Sequence, residues 1–379
     1  MTSVQTITAP AKEWIAALTR LTPAMAGKKP VPILNNIVIS PETSTVGGYN
    51  YETSAITRLS ASEGRGAQFL VSWRWLLDAI RTTSGKTKDA PATVWIEGNK
   101  VGVTTCGYEL YAEGADIADY PEIPVVEPDV ESTLVPSVLR GALRRTGLAA
   151  SQDETLPILN AVQINMEDGG IGLLATDRYR LASDYVSGHG TGSASFLLGR
   201  RTFKAIDRFL VGKSVQLGIH HESRRIIIST EAVTFTCLAS DGDYPKIRSL
   251  FPAEVTGSFE VDRSVLLESA RVALTMNERY SPCHIELFEE GAKVTFDFGL
   301  FGPSVSPTAA GGPVAGDGER IKFAMNPHYL VETLPQIETA KVRISYTKLP
   351  NPFLFTPEGV AASDDKVLKH LIMPVRMSS

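Results

Sequence analysis

The sequence predicts an α+β protein made of three tandem copies of one domain, each with two helices and about eight strands. Three observations carry that prediction. Phe69, Phe196 and Phe323 are spaced 127 residues apart, and each opens a segment of the same kind: Phe69-Leu-Val-Ser-Trp-Arg-Trp-Leu, Phe196-Leu-Leu-Gly-Arg-Arg-Thr-Phe and Phe323-Ala-Met-Asn-Pro-His-Tyr-Leu. Pro32-Ile33-Leu34-Asn35 recurs 125 residues later as Pro157-Ile158-Leu159-Asn160, and Pro282 lies 125 beyond that. The period is close to one third of the 379 residues. A solenoid unit runs roughly 20 to 50 residues, so a repeat of this length suits a domain that buries its own core.

The first helix of each unit is expected over 9–21, 136–149 and 263–274. Pro10 and Pro136 suit a first helical turn, where a missing N–H costs nothing, and Asp262 and Ser137 are candidate caps. The second helix follows the repeated phenylalanine, over 73–81, 200–210 and 327–334. Short β-branched runs such as Ala92-Thr-Val-Trp-Ile-Glu, Arg225-Ile-Ile-Ile-Ser-Thr and Lys341-Val-Arg-Ile-Ser-Tyr, parted by Gly, Asn and Asp, read as strands. Boundaries are expected in the proline-rich stretch 121–128 and near Phe251-Pro252-Ala253, which gives domains 1–128, 129–253 and 254–379. The segment from Gly302 to Gly318, rich in Gly, Pro, Ser and Ala, reads as a mobile loop.

Composition is that of an ordinary globular chain, 43% hydrophobic and 21% charged, with no apolar run long enough for a bilayer. Met1-Thr-Ser-Val-Gln-Thr lacks the charged start and apolar core of a secretory leader, so a cytoplasmic location is expected. Cys106, Cys237 and Cys283 are odd in number, far apart and without a CxxC pair, which argues against disulfides and zinc. The six histidines show no HxxxH or HExxH spacing. No metal and no cofactor is expected.

Two fragments imitate chemistry. Gly85-Lys86-Thr87 and Gly212-Lys213-Ser214 look like the end of a phosphate-binding loop, but the glycine needed five positions upstream is replaced by Ile80 and Asp207. Both follow an expected second helix, where a glycine serves as a C-terminal cap. Cys283-His284 would place a nucleophile beside a base, yet neighbours on a strand point to opposite faces. Asp241 and Asp243 flank Gly242 in what reads as a turn.

The net charge is -5, but the expected helices are basic. Arg140, Arg144 and Arg145 fall at i, i+4, i+5, and Arg201, Lys204 and Arg208 at i, i+3, i+7, so each set shares a helix face. Arg74 and Arg81 stand seven apart, Lys28 and Lys29 lie in the preceding loop, and Arg263 and Arg271 are the third-repeat counterparts. A single such helix usually means a solvated face. Recurrence across repeats favours a polyanion-facing surface, with backbone contact and no base reading.

Leu156-Pro-Ile-Leu-Asn160, Leu174-Ala-Thr-Asp-Arg-Tyr-Arg-Leu-Ala182, Asp243-Tyr-Pro-Lys-Ile-Arg248 and Leu371-Ile-Met-Pro-Val-Arg376, in this order along the whole chain, resemble the bacterial β sliding clamp of DNA polymerase III. The resemblance implies a non-catalytic processivity factor, a head-to-tail homodimer whose six clamp domains close a ring around duplex DNA, with helices lining the hole. Matching positions make Lys28, Arg74 and Gln152 DNA-facing. The resemblance further implies a groove for short peptides of polymerase subunits, the clamp loader and repair proteins. It would be formed by Leu159, Thr176, Tyr179, Arg180, Leu181, Pro245, Leu250, Tyr280, Asn326, Tyr329, Met373, Pro374, Val375 and Arg376. Apolar members would seat a Leu or Phe anchor, and Arg180 and Asn326 would pair with the peptide backbone or a glutamine. Core packing is the plain alternative for Leu159 and Leu181, and local turn bonding for Thr176 and Asp177. Ser249 and Arg178 depart from residues found in some family members, and two serines extend the tail beyond Met377. A duplicate or phage-borne clamp giving tolerance to clamp-directed antibiotics is an alternative role. A protein-binding scaffold without DNA and an enzyme with a cleft between repeats are rivals from other classes, the latter lacking a nucleophile, metal set or cofactor loop.

Overall fold

The computed structural model describes residues 4–26, 31–60, 62–276, 281–297 and 303–376. Among them each third of the chain contains nine strands, one more than expected, and two helices of at least seven residues. The helices are Ala11–Arg20, Trp73–Ser84, Pro136–Gly147, Arg200–Ile206, Arg263–Met276 and Pro327–Thr333. Phe69, Phe196 and Phe323 are buried in strands that run straight into the second helix of each repeat, the strands being Phe69–Ser72, Ala194–Gly199 and Ile321–Met325. The 127-residue period is therefore a period of core anchors.

The chain divides into two compact units, residues 1–137 with 189–194 and 201–239, and residues 138–188 with 195–200 and 240–379. In the first unit a five-stranded antiparallel sheet runs in the order Glu63–Arg65, Gln5–Pro10, Pro91–Glu97, Lys100–Thr105, Tyr108–Glu113. A nine-stranded sheet joins second-repeat to first-repeat strands where Val233–Leu238 pairs antiparallel with Thr53–Arg58, Phe235 opposite Ala55. Helix Ala11–Arg20 buries Ala11, Trp14, Ala17 and Leu18, the i, i+3, i+6, i+7 stripe of a half-buried helix. Trp14 is wholly buried and its indole N–H donates to the Ala92 carbonyl at 3.0 Å, so the ring is sunk without an orphaned donor.

In the second unit one long sheet passes from the second repeat into the third through strands Arg180–Ser187 and Lys369–Ile372, with Leu181 opposite Leu371. One of its cores gathers Phe259, Phe323, Phe353 and Phe355 with residues of helices Arg263–Met276 and Pro327–Thr333. Phe323 and Phe353 stack with centroids 3.7 Å apart.

Some local expectations are corrected. The segment expected as a mobile loop holds strands Pro303–Val305 and Ala309–Ala315. The glycines are there for close approach: a Cβ on Gly311 would lie 1.9 Å from the Glu260 carbonyl oxygen, in the strand it pairs with. The second-repeat helix starts at Pro136, so Ser137 lies inside the first turn, while Asp262 does cap, accepting from the Val265 N–H at 2.9 Å. Gly85 and Gly212 adopt φ of 48° and 107° just past their helical segments, the chain reversal that glycine permits.

Candidate functional site

The exposed cations sit on helices because their apolar neighbours hold the opposite face inward. On Trp73–Ser84, Leu76, Leu77, Ala79 and Ile80 are buried and Arg74 and Arg81 are exposed. Arg74 pairs with Asp78 one turn on at 2.9 Å, and Arg81 donates to Thr19 Oγ1 at 3.2 Å. Arg201, Lys204 and Arg208 are exposed, Arg208 with its guanidinium 4.7 Å from the Phe209 ring. On Pro136–Gly147, Arg144 is exposed and Arg140 half-buried, and Gln152 is exposed in the loop beyond. Lys28 and Lys29 lie outside the described residues.

Arg145 does not share the face that helical spacing suggests. It turns inward to Asp184, donating from Nε to Oδ2 at 2.8 Å. The missing side chain of Gly141 makes room, since a Cβ there would stand 3.0 Å from Arg145 Nη1. Burial raises the Asp184 carboxyl above its ordinary value, against the pull of Arg145. In the third repeat, Arg263 donates to the Thr339 carbonyl at 2.9 Å and Arg271 pairs with Glu268. Arg263 is thus engaged within the fold, while Arg271 stays exposed and shares its charge with Glu268 along the helix, as Arg74 does with Asp78.

Of the residues expected to form the groove, Thr176, Tyr179 and Arg180 lie in the turn 176–180 and Leu181 directly follows it. Asp177 Oδ1 accepts the N–H groups of Tyr179 and Arg180, both at 3.0 Å, which closes a tight loop after strand Gly170–Thr176. Thr176 Oγ1 donates to the Arg180 carbonyl at 2.6 Å and accepts from the Arg178 N–H at 3.1 Å, with Arg178 held at φ 82°. Thr176 and Asp177 thus do the local turn work, and they leave Tyr179 55% exposed. The Tyr244 hydroxyl accepts from the Thr176 N–H at 2.9 Å, and burial raises its pKa. Beneath the turn, Leu181 packs with Leu174, Leu197, Tyr244, Leu354 and Leu371.

The C-terminal tail docks against this turn. The Met373 N–H donates to the Tyr179 carbonyl at 2.9 Å, and the Val375 N–H to the Ala324 carbonyl at 2.8 Å. Met373, Val375 and Leu250 expose 42%, 39% and 59% of their surface, an apolar rim beside the buried leucines. Pro245 and Arg376 are exposed, and Leu159 and Pro374 are half-buried. Tyr280 lies outside the described residues.

Two assigned roles change. Arg180 is 5% exposed. Its guanidinium meets Asp177 Oδ2 at 3.0 Å, Glu332 Oε2 at 2.5 Å and the Leu148 carbonyl at 2.7 Å, over the half-buried Tyr329 ring at 4.7 Å. It braces the wall and is not presented to a peptide. Asn326 caps helix Pro327–Thr333, its Oδ1 accepting the His328 N–H at 3.0 Å, so that oxygen is already committed. Sequence reasoning missed Ile158, Ile247 and Phe251, which pack on the leucine cluster, although the first two sit inside quoted motifs. It also missed His370, wholly buried beside the Arg180 and Arg145 charges and pushed down to about 3, by burial first.

No cluster of three or more potential metal ligands occurs among the described residues, and no described helix is long and apolar enough to cross a membrane. Residues 133–246 match the family model of the DNA polymerase III beta subunit central domain, and residues 248–376 that of its C-terminal domain. The chain is 32% identical over 282 residues to the beta sliding clamp of Micrococcus luteus, covering 73% of this chain and 89% of that protein. It is 26% identical over 365 residues to the clamp of Streptomyces coelicolor, covering 94% and 95%. In fold it matches the DNA polymerase sliding clamp of Bacillus subtilis with a TM-score of 0.88 at 20% identity, over 99% of this chain and 100% of that one. From these matches, the chain belongs to the family of bacterial beta sliding clamps, the beta subunits of DNA polymerase III.

Proposed function

We propose that two copies of this chain close head to tail around duplex DNA, each built of repeats 1–128, 129–253 and 254–379, and hold partner proteins by short peptides. As a family member the chain is a DNA polymerase processivity factor and a non-catalytic subunit. The observation that carries the DNA reading is the exposure of Arg74, Arg81, Arg144, Arg201, Lys204 and Arg208 on helices of an acidic chain. Exposed, solvated cations attract phosphates weakly and without sequence preference, which suits a ring that must slide. The apolar rim of Met373, Val375 and Leu250 over buried Leu181 supports the peptide reading. The partners are then duplex DNA, a second copy, and polymerase, clamp-loader and repair proteins, in the cytoplasm.

The test is retention on DNA after loading. The chain should stay on closed circular plasmid and run off the same plasmid once linearised, with a solution mass near twice 41.0 kDa. A monomer, or equal loss from both DNAs, would overturn the ring.

A further inference from the structure

The turn that builds the groove occurs twice. In the first repeat, Asn50 Oδ1 accepts the N–H groups of Glu52 and Thr53 at 3.0 and 2.7 Å, as Asp177 Oδ1 accepts those of Tyr179 and Arg180, both at 3.0 Å. Tyr51 sits at φ 72° where Arg178 sits at 82°. The Tyr120 hydroxyl accepts the Tyr49 N–H at 3.0 Å, as that of Tyr244 accepts the Thr176 N–H at 2.9 Å. The strand entering from the following repeat docks alike, Leu238 N–H to Glu52 carbonyl at 2.8 Å against Met373 N–H to Tyr179 carbonyl at 2.9 Å. Each copy lies within its own compact unit.

The copies differ in what fills them. At the position of Thr176 the first repeat carries Tyr49, 6% exposed, packed among Leu34, Val38, Leu70, Tyr120 and Ile123. Of these, Leu70, Tyr120 and Ile123 correspond to Leu197, Tyr244 and Ile247 of the groove cluster. The Tyr49 phenol is pinned at both ends of its hydrogen-bonding capacity: it donates to the Tyr51 carbonyl at 3.1 Å and accepts from Arg225 Nη2 at 3.0 Å. An aromatic ring thus sits where the other copy offers only a threonine.

We propose that the first repeat contains a second peptide groove already occupied by its own Tyr49 ring, and that the residue at 49 or 176 decides which copy accepts a peptide with an apolar anchor. The proposal rests on reading the Thr176 copy as a peptide groove. Removing the ring leaves a cavity lined by aliphatic and aromatic side chains, which favours an apolar guest over water.

The experiment counts sites by titration calorimetry on the full-length chain, with a synthetic peptide carrying a glutamine and a Leu-Phe anchor as probe. The wild type should bind one peptide per chain and Tyr49→Thr two. One site in both, with the variant folded, overturns the proposal, as do two sites in the wild type. A wild type that binds none defeats the groove reading. In that case one site in Tyr49→Thr upholds the duplicate and none overturns it. Should Tyr49→Thr fail to fold, the reciprocal Thr176→Tyr decides: with the fold intact, affinity should drop by about tenfold or more, and undiminished affinity overturns the proposal.

Discussion

At the scale of single residues, the buried charges beside the turn 176–180 are held largely by partners remote in sequence. Arg180 and Arg145 are desolvated and would be costly alone, but carboxylates and a carbonyl satisfy them. His370 lies close enough for both charges to oppose its protonation. Its folded pKa of about 3 lies below the ordinary 6.5, so the unfolded chain takes up the proton first as pH falls. The stability from a neutral His370 is complete above about pH 6.5 and declines as pH drops toward 3. Between pH 7 and 5 the wild type should lose about 2 kcal/mol more unfolding free energy than His370→Leu, at roughly 1.4 kcal/mol per pH unit below 6.5. Parallel pH profiles for the two proteins in urea unfolding would refute this.

At the scale of elements, the tail and the turn form one wall joined by backbone bonds. The Met373 and Val375 N–H groups attach the tail to Tyr179 and Ala324, and nothing after Ile372 is fully buried among the described residues. Deleting residues 373–379 should therefore weaken peptide binding by about tenfold or more while leaving the dimer intact. Undiminished affinity in a titration would remove the tail from the groove. Leu181→Ala is the poorer probe, because a leucine 3% exposed and packed on Leu371 is part of the fold. Truncating it should cost about 2 to 5 kcal/mol of stability before any peptide is added.

At the scale of the whole molecule, the proposed hold on DNA is a sum of many weak contacts. Arg74 is 75% exposed at its side chain and shares its charge with Asp78, so one substitution there changes little. Changing Arg74 and Arg201 together to alanine should shorten retention on circular plasmid and reduce the salt dependence of that retention, without altering solution mass. Equal retention and equal salt slope would mean that these side chains do not face DNA.

Repeat number, helix positions and the strands near 92–97, 225–230 and 341–346 were legible in the sequence, because anchors such as Phe69, Phe196 and Phe323 and the helical burial stripe are local or strictly periodic signals. The exposed cations of Trp73–Ser84 and Arg200–Ile206 were legible for the same reason. Arg145 was not, since nothing in the helix distinguishes it from Arg144 until Asp184, 39 residues on, is brought beside it. Nor was the inward turn of Arg180, whose partners Leu148 and Glu332 come from two different repeats. The Gly-rich stretch misled because a glycine demanded by a neighbouring strand looks, in sequence, like one left free to move. Local periodicity is carried by neighbouring residues and survives in the linear chain. Which charges are buried, and which copy of a repeated turn is filled, depends on partners that only the folded sheets bring together.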